Sequence, residues 1–145
     1  MSRERFASIE AELRGRYIDR DAEIHGLSLA ALSGQHIILI GPPGNAKSAL
    51  IRDYAQYLQA AYFKRLLTKT TEPGEILGGE DIQARKVGIV RRITKGKLPE
   101  AEVAYLDEIF KCSSAILNGS LTILQEREFD NDGENDKLIQ WEVWG

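Results

Sequence analysis

The stretch of sequence that decides the fold is Gly41-Pro42-Pro43-Gly44-Asn45-Ala46-Lys47-Ser48. A short apolar run, residues 37–40, precedes it, and a segment with the apolar spacing of a helix follows. A buried strand, a glycine-rich turn and a helix that begins with Lys-Ser form a cradle for phosphate groups, because backbone N–H groups and the helix dipole attract negative charge. In such a cradle the lysine reaches the terminal phosphates, and the serine hydroxyl is a ligand for Mg²⁺. The sequence therefore predicts a nucleotide-binding protein.

One residue departs from the general pattern G-x-x-x-x-G-K-[ST] of such loops. Ala46 stands where the pattern has its second glycine. We expect the backbone of Ala46 to adopt helix-compatible angles, which alanine tolerates, so that the turn has less room but still binds phosphate. The alternative is an ordinary Gly-Pro-Pro-Gly turn, but few such turns are followed by Lys-Ser at the start of a helix.

A second candidate site lies 60 positions after Lys47 (107 − 47). The apolar run 103–106 ends there in Asp107 and Glu108. Asp107 can hold the Mg²⁺ shell opposite Ser48, since Mg²⁺ prefers few carboxylates together with water and phosphate oxygens. Glu108 points elsewhere and can polarise the water that attacks the γ-phosphate. Two acids can also simply mark the end of a strand, but the phosphate loop upstream favours the catalytic interpretation.

Composition narrows the class of protein. The chain has 145 residues, a net charge of −3 and 43% hydrophobic residues, which is typical of one globular domain with a hydrophobic core. A mildly acidic chain gives no electrostatic argument for nucleic acid or a membrane surface as a partner, and we expect neither. No apolar run has the length of a signal peptide core or a membrane span, so the cytoplasm is the predicted compartment.

The pattern along the chain predicts an α/β fold. Apolar spacing indicates helices over 6–17, 21–33, 47–61 and 114–125, with Asp21 capping the second and Ser113 or Ser114 the last. Strands are predicted over 36–40, 62–67 and 103–106, hairpins over 87–98 and around the turn 131–133, and a loop or short helical turn over 71–79. Alternating strands and helices imply a mainly parallel, three-layered sheet, with the ligand at the carboxyl ends of the strands.

Four segments in order carry a resemblance to a known family. They are GPPGNAKS (41–48), TTEPGEILG (70–78), GKLPEAEVAYLDEIFK (96–111) and SAILNGSLTILQERE (114–128). Together they resemble the MoxR family of AAA+ ATPases, and within it the regulatory ATPases that work with von Willebrand factor A-domain partners. The likeness covers about residues 17–133. Alanine before the lysine is common in that family, so Ala46 fits the family better than it fits the general motif.

The resemblance implies a P-loop NTPase fold, the AAA+ large subdomain, and assigns roles to residues. Phosphate binding falls to Gly41 through Ser48, the Mg²⁺ ligands are Ser48 and Asp107, and Glu108 with Lys47 supports catalysis. It also implies ATP and Mg²⁺ as ligands, a homo-oligomeric and hexameric ring in the full-length protein, and chaperone-like remodelling or maturation of a protein partner. That partner is expected to be a von Willebrand factor A-domain protein.

Three further correspondences come from the resemblance. Residues 21–24 match the part that lines the adenine pocket, although apolar residues there are equally expected in the core. Residues 83–98 match an insert in the family's second helix, interpreted as a pore-facing or partner-facing hairpin or, as we favour, a solvated basic hairpin. Residues 126–128 either touch a neighbouring subunit or are surface charge. The cations of the insert are Lys86, Arg91, Arg92, Lys95 and Lys97.

The family's AAA+ module normally extends further than this chain. The segment WEVWG (141–145) resembles the beginning of the fourth core strand, and no sensor residue, arginine finger or helical lid can be placed. We therefore expect residues 1–145 to form a partial AAA+ nucleotide-binding core, truncated before the fourth strand is complete and lacking the lid. The alternative function is an ATP-binding or interaction module with little turnover. A small kinase or GTPase is less favoured, because no N-K-x-D motif is present.

Overall fold

A computed structural model describes residues 2–42, 44, 46–132, 134–137 and 141–144, with backbone only for Leu121 and from residue 134 onward. The helices are α1 (Arg3–Arg16), α2 (Asp21–Ser33), α3 (Lys47–Leu58), α4 (Pro73–Leu77), α5 (Ile82–Lys86) and α6 (Ser114–Glu126), with 3₁₀ turns at Leu98–Glu100 and Ile109–Lys111. The strands are β1 (Ile37–Ile38), β2 (Tyr62–Leu66), β3 (Val103–Asp107), β4 (Glu128–Asn131), β5 (Glu134–Lys137) and β6 (Trp141–Trp144).

Four strands form a parallel sheet in the order β1-β6-β3-β2. β3 lies inside the sheet, with Leu66 of β2 opposite Asp107 and Trp144 of β6 opposite Leu106. The predicted mainly parallel sheet is confirmed. Residues 141–144, which the sequence analysis expected to begin the fourth core strand although it placed the end of the core before that strand, form β6 between β1 and β3.

Helices cover both faces of the sheet, as a parallel sheet requires. Successive side chains of β3 point to opposite faces, so Tyr105 packs with Leu50 and Tyr54 of α3, while Leu106 packs with Ile116 and Ile123 of α6. Every residue of 103–106 is buried, which explains why this strand reads as one continuous apolar run. The result is the predicted three-layered α/β arrangement.

A buried carboxylate ties α1 to α3. Asp53 is 4% exposed and accepts a hydrogen bond from the hydroxyl of Tyr17 at 2.7 Å. Arg16 and Arg52 each approach its carboxylate to 3.3 Å. Burial and then the hydrogen bond to Asp53 raise the pKa of Tyr17. This cluster anchors the helix that begins at the phosphate loop against the N-terminal helix.

Several predicted boundaries were wrong by a few residues. β1 covers two residues of the predicted 36–40, and α3 ends at Leu58 because Gln59 adopts the left-handed conformation (φ 57°). Asp21 does not cap α2: Arg20 holds the capping position, and Asp21 pairs with Arg14 at 3.2 Å. The cap of the last helix, α6, was predicted correctly, since the side chain of Ser113 accepts a hydrogen bond from the N–H of Ile116 at 3.4 Å.

Of the two predicted hairpins, one is confirmed and one is wrong. β4 and β5 pair antiparallel across the turn that contains Asp132. Residues 87–98, all of which are described, contain no strand, and their pairing is limited to one isolated antiparallel bridge between Arg92 and Glu80. The segment is held instead through Arg92, whose backbone N–H donates to the side chain of Asn131 at 2.7 Å and whose carbonyl accepts from it at 3.1 Å.

Candidate functional site

The phosphate loop leaves the carboxyl end of β1 and leads directly into α3. Gly44 has a φ of 81°, a left-handed conformation that favours glycine. The ammonium group of Lys47 donates to the carbonyl oxygen of Gly41 at 2.9 Å, so the lysine folds back over the loop. Pro43 and Asn45, two predicted phosphate-binding residues, lie outside the described residues.

The prediction of helix-compatible angles at Ala46 was wrong. Ala46 has φ 54° and ψ 12°, which is the left-handed region, and it directly precedes the first residue of α3. A left-handed conformation costs a non-glycine residue about 1–2 kcal/mol. The glycine of the general motif has this conformation at no steric cost, so the substitution stores strain in the loop.

Replacing Ala46 with glycine should therefore stabilise the protein. We expect Ala46→Gly to raise the free energy of unfolding by about 0.5–1 kcal/mol, because the relieved strain exceeds the greater backbone entropy of glycine in the unfolded chain. Urea unfolding followed by circular dichroism measures the change. The control is the opposite exchange, Gly15→Ala, at a helical position of α1 where an added Cβ would meet open space. A destabilised Ala46→Gly variant would contradict the strain.

A cavity of about 500 Å³ lies between the phosphate loop and the end of β3. The structure brings the predicted catalytic and metal-binding side chains to this one cavity: Lys47 and Ser48 from α3, and Asp107 and Glu108 from β3 and the turn after it. Its other described lining residues are Ile38, Leu39, Ile40, Gly41, Gly44, Ala46, Ala49, Tyr105 and Phe110. Pro42 lines a second cavity.

Glu108 lies at a sharp turn of the backbone. Its φ of 59° is left-handed, as seen in strained residues at functional sites, and it ends β3 so that the next three residues form a 3₁₀ turn. Its carboxylate is 3.2 Å from the ammonium group of Lys111 and is partly exposed. The turn separates the directions of the two neighbouring acids, so Asp107 and Glu108 can serve different atoms of one ligand.

The donors at the cavity suit Mg²⁺ held together with a nucleotide. Ser48 offers a hydroxyl and Asp107 one carboxylate, and among the described residues no group of three or more His, Cys, Asp or Glu could hold a metal. Mg²⁺ is usually bound by one or two protein oxygens, with water and phosphate oxygens completing its shell. The residues present therefore fit a Mg²⁺–nucleotide complex better than a metal held by protein alone.

Tyr105 is a site residue that the sequence interpretation did not single out. Its hydroxyl lies beside the carboxylate of Asp107 and the hydroxyl of Ser48. Burial, and then the negative charge of Asp107, raise the pKa of Tyr105, so the phenol keeps its proton at neutral pH. The available signal was its position two residues before Asp107, which places both side chains on the same face of the strand.

A second cavity of about 380 Å³ shares residues 38–41 and Lys47 with the first and extends to the start of α2. Within the predicted adenine segment 21–24, Ala22 and Glu23 line it, whereas Ile24 is fully buried in the core. Arg20, which the prediction did not include, also lines it and pairs with Glu23 at 2.8 Å. This ion pair holds the pKa of Glu23 below its usual range.

The basic insert is partly tied to its own chain. Arg91 pairs with Asp81 at 3.0 Å, Arg92 donates to the carbonyl of Gly78 at 2.8 Å, and Lys97 donates to that of Glu75 at 3.3 Å. In the segment 126–128, which was predicted either to touch a neighbouring subunit or to be surface charge, the guanidinium of Arg127 donates to the carbonyl of Gly34. These contacts give Arg91, Arg92, Lys97 and Arg127 structural roles within one chain, and the partner-facing interpretations stay predictions.

Fold and site together define a class of protein. A parallel sheet in the order β1-β6-β3-β2, a phosphate loop between β1 and α3, and an Asp-Glu pair at the end of β3 are those of a P-loop NTPase of the AAA+ type. The sequence model of the MoxR domain in the MoxR-vWA-beta-propeller ternary systems matches residues 4–143. The chain belongs to this MoxR family of AAA+ ATPases, which confirms the resemblance.

Individual relatives agree with this assignment. Two uncharacterised proteins of Methanocaldococcus jannaschii are 38% and 39% identical over 139 residues, or 94% of this chain. The chain spans 36% and 37% of their lengths. The ATP-binding subunit ClpX of the ATP-dependent Clp protease from Treponema denticola is 29% identical over 72% of this chain and 24% of its own.

A solved structure shares the fold. It is the crystal structure of a candidate ATPase from Cytophaga hutchinsonii, with a TM-score of 0.79 over 98% of this chain and 43% of that one. The two sequences are 17% identical, so this likeness concerns the fold alone. Within the part of the chain that the structure describes, no helix combines the length and apolar character needed to cross a bilayer.

Proposed function

We propose that this chain binds ATP with Mg²⁺ in the cavity between the phosphate loop and the end of β3, and that the protein hydrolyses the ATP. The observation that carries the proposal is the meeting of Lys47, Ser48, Asp107 and Glu108 at one cavity of about 500 Å³. These four come from two segments 60 positions apart (107 − 47). Membership of an ATPase family supports the choice of ATP as the nucleotide.

Each residue has a role that its position allows. The ammonium group of Lys47, now bonded to the Gly41 carbonyl, exchanges that partner for the β- and γ-phosphates. The backbone N–H groups of Gly44, Ala46 and the first residues of α3 bind the phosphate oxygens, since the two prolines of the loop have no N–H to donate. Ser48 and Asp107 would hold Mg²⁺, which neutralises charge on the phosphates when bound. Glu108 accepts a proton from the attacking water once its carboxylate has left Lys111.

The supply of positive charge limits what one chain can do. Among the described residues that line the cavity, Lys47 is the only cation. Phosphoryl transfer gains about 10³–10⁵ in rate from an arginine finger, which another subunit can supply. We therefore propose that full activity requires neighbouring copies, in keeping with a hexameric ring of the full-length protein. The 145-residue chain alone would bind ATP and turn it over slowly, which is the alternative, module-like function.

The proposed wider role is chaperone-like remodelling or maturation of a protein partner. Support comes from the family, whose description places the MoxR domain in systems with vWA and β-propeller components. A von Willebrand factor A-domain protein is therefore the proposed partner. The cytoplasmic location and the expected lack of membrane and nucleic-acid partners stay predictions from composition.

One experiment tests the proposed function. ATP affinity and phosphate release are measured together at increasing protein concentration, with and without Mg²⁺, while gel filtration follows assembly. We expect Mg²⁺-dependent binding, slow turnover at low concentration, and turnover per chain that rises as copies assemble. Binding without turnover at any concentration would support the module. Failure to bind ATP would contradict both functions, and brisk turnover by the monomer would contradict the need for a second copy.

A further inference from the structure

The site contains a hydroxyl group for which the roles assigned above give no use. Tyr105 lies in β3 two residues before Asp107, so both side chains point to the face covered by α3. Ser48 is the second residue of that helix. Tyr105 is 1% exposed, and it lines the same cavity as Ser48 and Asp107.

The polar end of Tyr105 lies close to both candidate metal ligands. The Tyr105 hydroxyl lies near the Asp107 carboxylate and the Ser48 hydroxyl, with which it lines one cavity. A phenol has one proton to donate and lone pairs that accept. A carboxylate only accepts, so toward Asp107 the phenol can act only as the donor, and its oxygen remains able to accept from Ser48. A serine hydroxyl that binds a metal through its oxygen must direct its proton elsewhere, and the Tyr105 oxygen is an acceptor close by.

The ring of Tyr105 has little freedom to move. It packs against buried residues of α3, including Leu50 and Tyr54, and its strand is paired on both sides, with Lys64 and Val143 opposite it. The ammonium group of Lys64 lies 6.0 Å from the ring centroid. A hydroxyl on a ring held in this way can fix the orientation of the neighbouring side chains of Ser48 and Asp107.

We propose that Tyr105 is a positioning residue that aligns the Ser48 hydroxyl and the Asp107 carboxylate as one ligand pair for the Mg²⁺ of the bound nucleotide. The inference rests on the proposed function, since it assumes that a metal–nucleotide complex occupies this cavity. Residues behind metal ligands fix the orientation of those ligands, and their loss typically lowers metal affinity by about 10–100-fold.

The test is Tyr105→Phe, which removes one oxygen and keeps the ring. Mn²⁺ is the probe metal, and its binding in the presence of ATP is followed by electron paramagnetic resonance. We expect the affinity for Mn²⁺ to fall about tenfold, while the affinity for ATP in EDTA changes less than about twofold, because no metal is then bound for Tyr105 to act on. Tyr54→Phe is the matched control: Tyr54 is also buried, but its hydroxyl bonds to Ser28 at 2.8 Å, outside the cavity.

The outcomes separate this inference from the proposed function. Unchanged Mn²⁺ affinity in Tyr105→Phe, with Mn²⁺-dependent ATP binding intact in the wild type, overturns the positioning role alone. An equal loss in Tyr54→Phe also overturns it, as does a Tyr105→Phe chain that unfolds while Tyr54→Phe stays folded, because the hydroxyl would then serve the core. A wild-type chain that binds ATP equally with and without metal contradicts the Mg²⁺ site of the proposed function. On the Ser48→Ala background, the effect of Tyr105→Phe should shrink, since one of its two targets is gone.

Discussion

Lys47→Ala should abolish most of the ATP affinity while leaving the fold intact. Lys47 is the only cation among the described residues that line the cavity, so no other side chain there can replace its charge. A hydrogen bond to a charged group contributes about 1.5–3 kcal/mol, which corresponds to about a 10–150-fold weaker Kd. Competition between ATP and a fluorescent ATP analogue in the presence of Mg²⁺ measures the change.

The fold should tolerate this substitution because Lys47 makes one hydrogen bond, to the Gly41 carbonyl, at an exposed position. Lys86→Ala is the matched control, since Lys86 is exposed on α5 and lies outside both cavities of the phosphate loop. Equal affinities for the wild type and Lys47→Ala would remove the phosphate loop from the proposed site. An equal loss in Lys86→Ala would show that the effect depends on net charge and not on position.

The parts of the fold that could be predicted from the sequence are those where a local pattern and the tertiary environment agree. β3 is buried on both faces, so its residues are apolar throughout, and the acids begin where the strand reaches the cavity. The hairpin of β4 and β5 was predictable because Asp132, whose φ is 59°, takes a conformation that the Asn-Asp-Gly sequence favours. In both places the local sequence pattern and the tertiary environment favour the same structure.

The failed predictions depend on contacts that are distant in sequence. Residues 87–98 alternate like a strand, but the segment is held by hydrogen bonds to Asn131 of the β4–β5 hairpin. It also passes so close to Gly78 that a Cβ on this glycine would collide with the carbonyl of Ile93. Alternation without a partner strand does not make a hairpin. The family likeness predicted an insert at this place and interpreted it as a hairpin, a conformation that residues 87–98 do not adopt.

The candidate site was predictable in its charged residues and not in their surroundings. Two sequence motifs contain the charged and metal-binding residues Lys47, Ser48, Asp107 and Glu108. The chemical role of each follows from its residue type and its position in the motif. Tyr105 was not predicted as a site residue because a tyrosine in an apolar strand is also a typical core residue. Lys111 was not predicted because an exposed ion pair leaves no pattern in the sequence. The left-handed conformation of Ala46 was not predicted for a different reason. The family likeness explains why alanine occurs at this position but carries no information about its backbone angles.

Glu108→Gln should show the largest effect on turnover, with little change in ATP binding. The substitution keeps the size of the side chain but removes the carboxylate that can accept a proton from water, a function worth about 10²–10⁴ in rate. The lost contact with Lys111 matters little, since an exposed ion pair contributes about 0–1 kcal/mol. We therefore expect single-turnover phosphate release to slow at least 100-fold, while the Kd for ATP stays within about threefold of the wild type because Glu108 does not bind the phosphates in the proposed arrangement.

Because turnover by this chain is expected to be slow, the measurement uses protein in excess over ATP at the highest concentration at which gel filtration shows assembly. Glu12→Gln is the matched control, an exposed glutamate of α1 that makes the same change of charge far from the cavity. Phosphate release that Glu108→Gln leaves unchanged would exclude Glu108 as the base. If ATP affinity fell together with the rate, Glu108 would be a binding residue instead. A selective loss of rate, with binding preserved, is the result expected of a residue that acts on the attacking water.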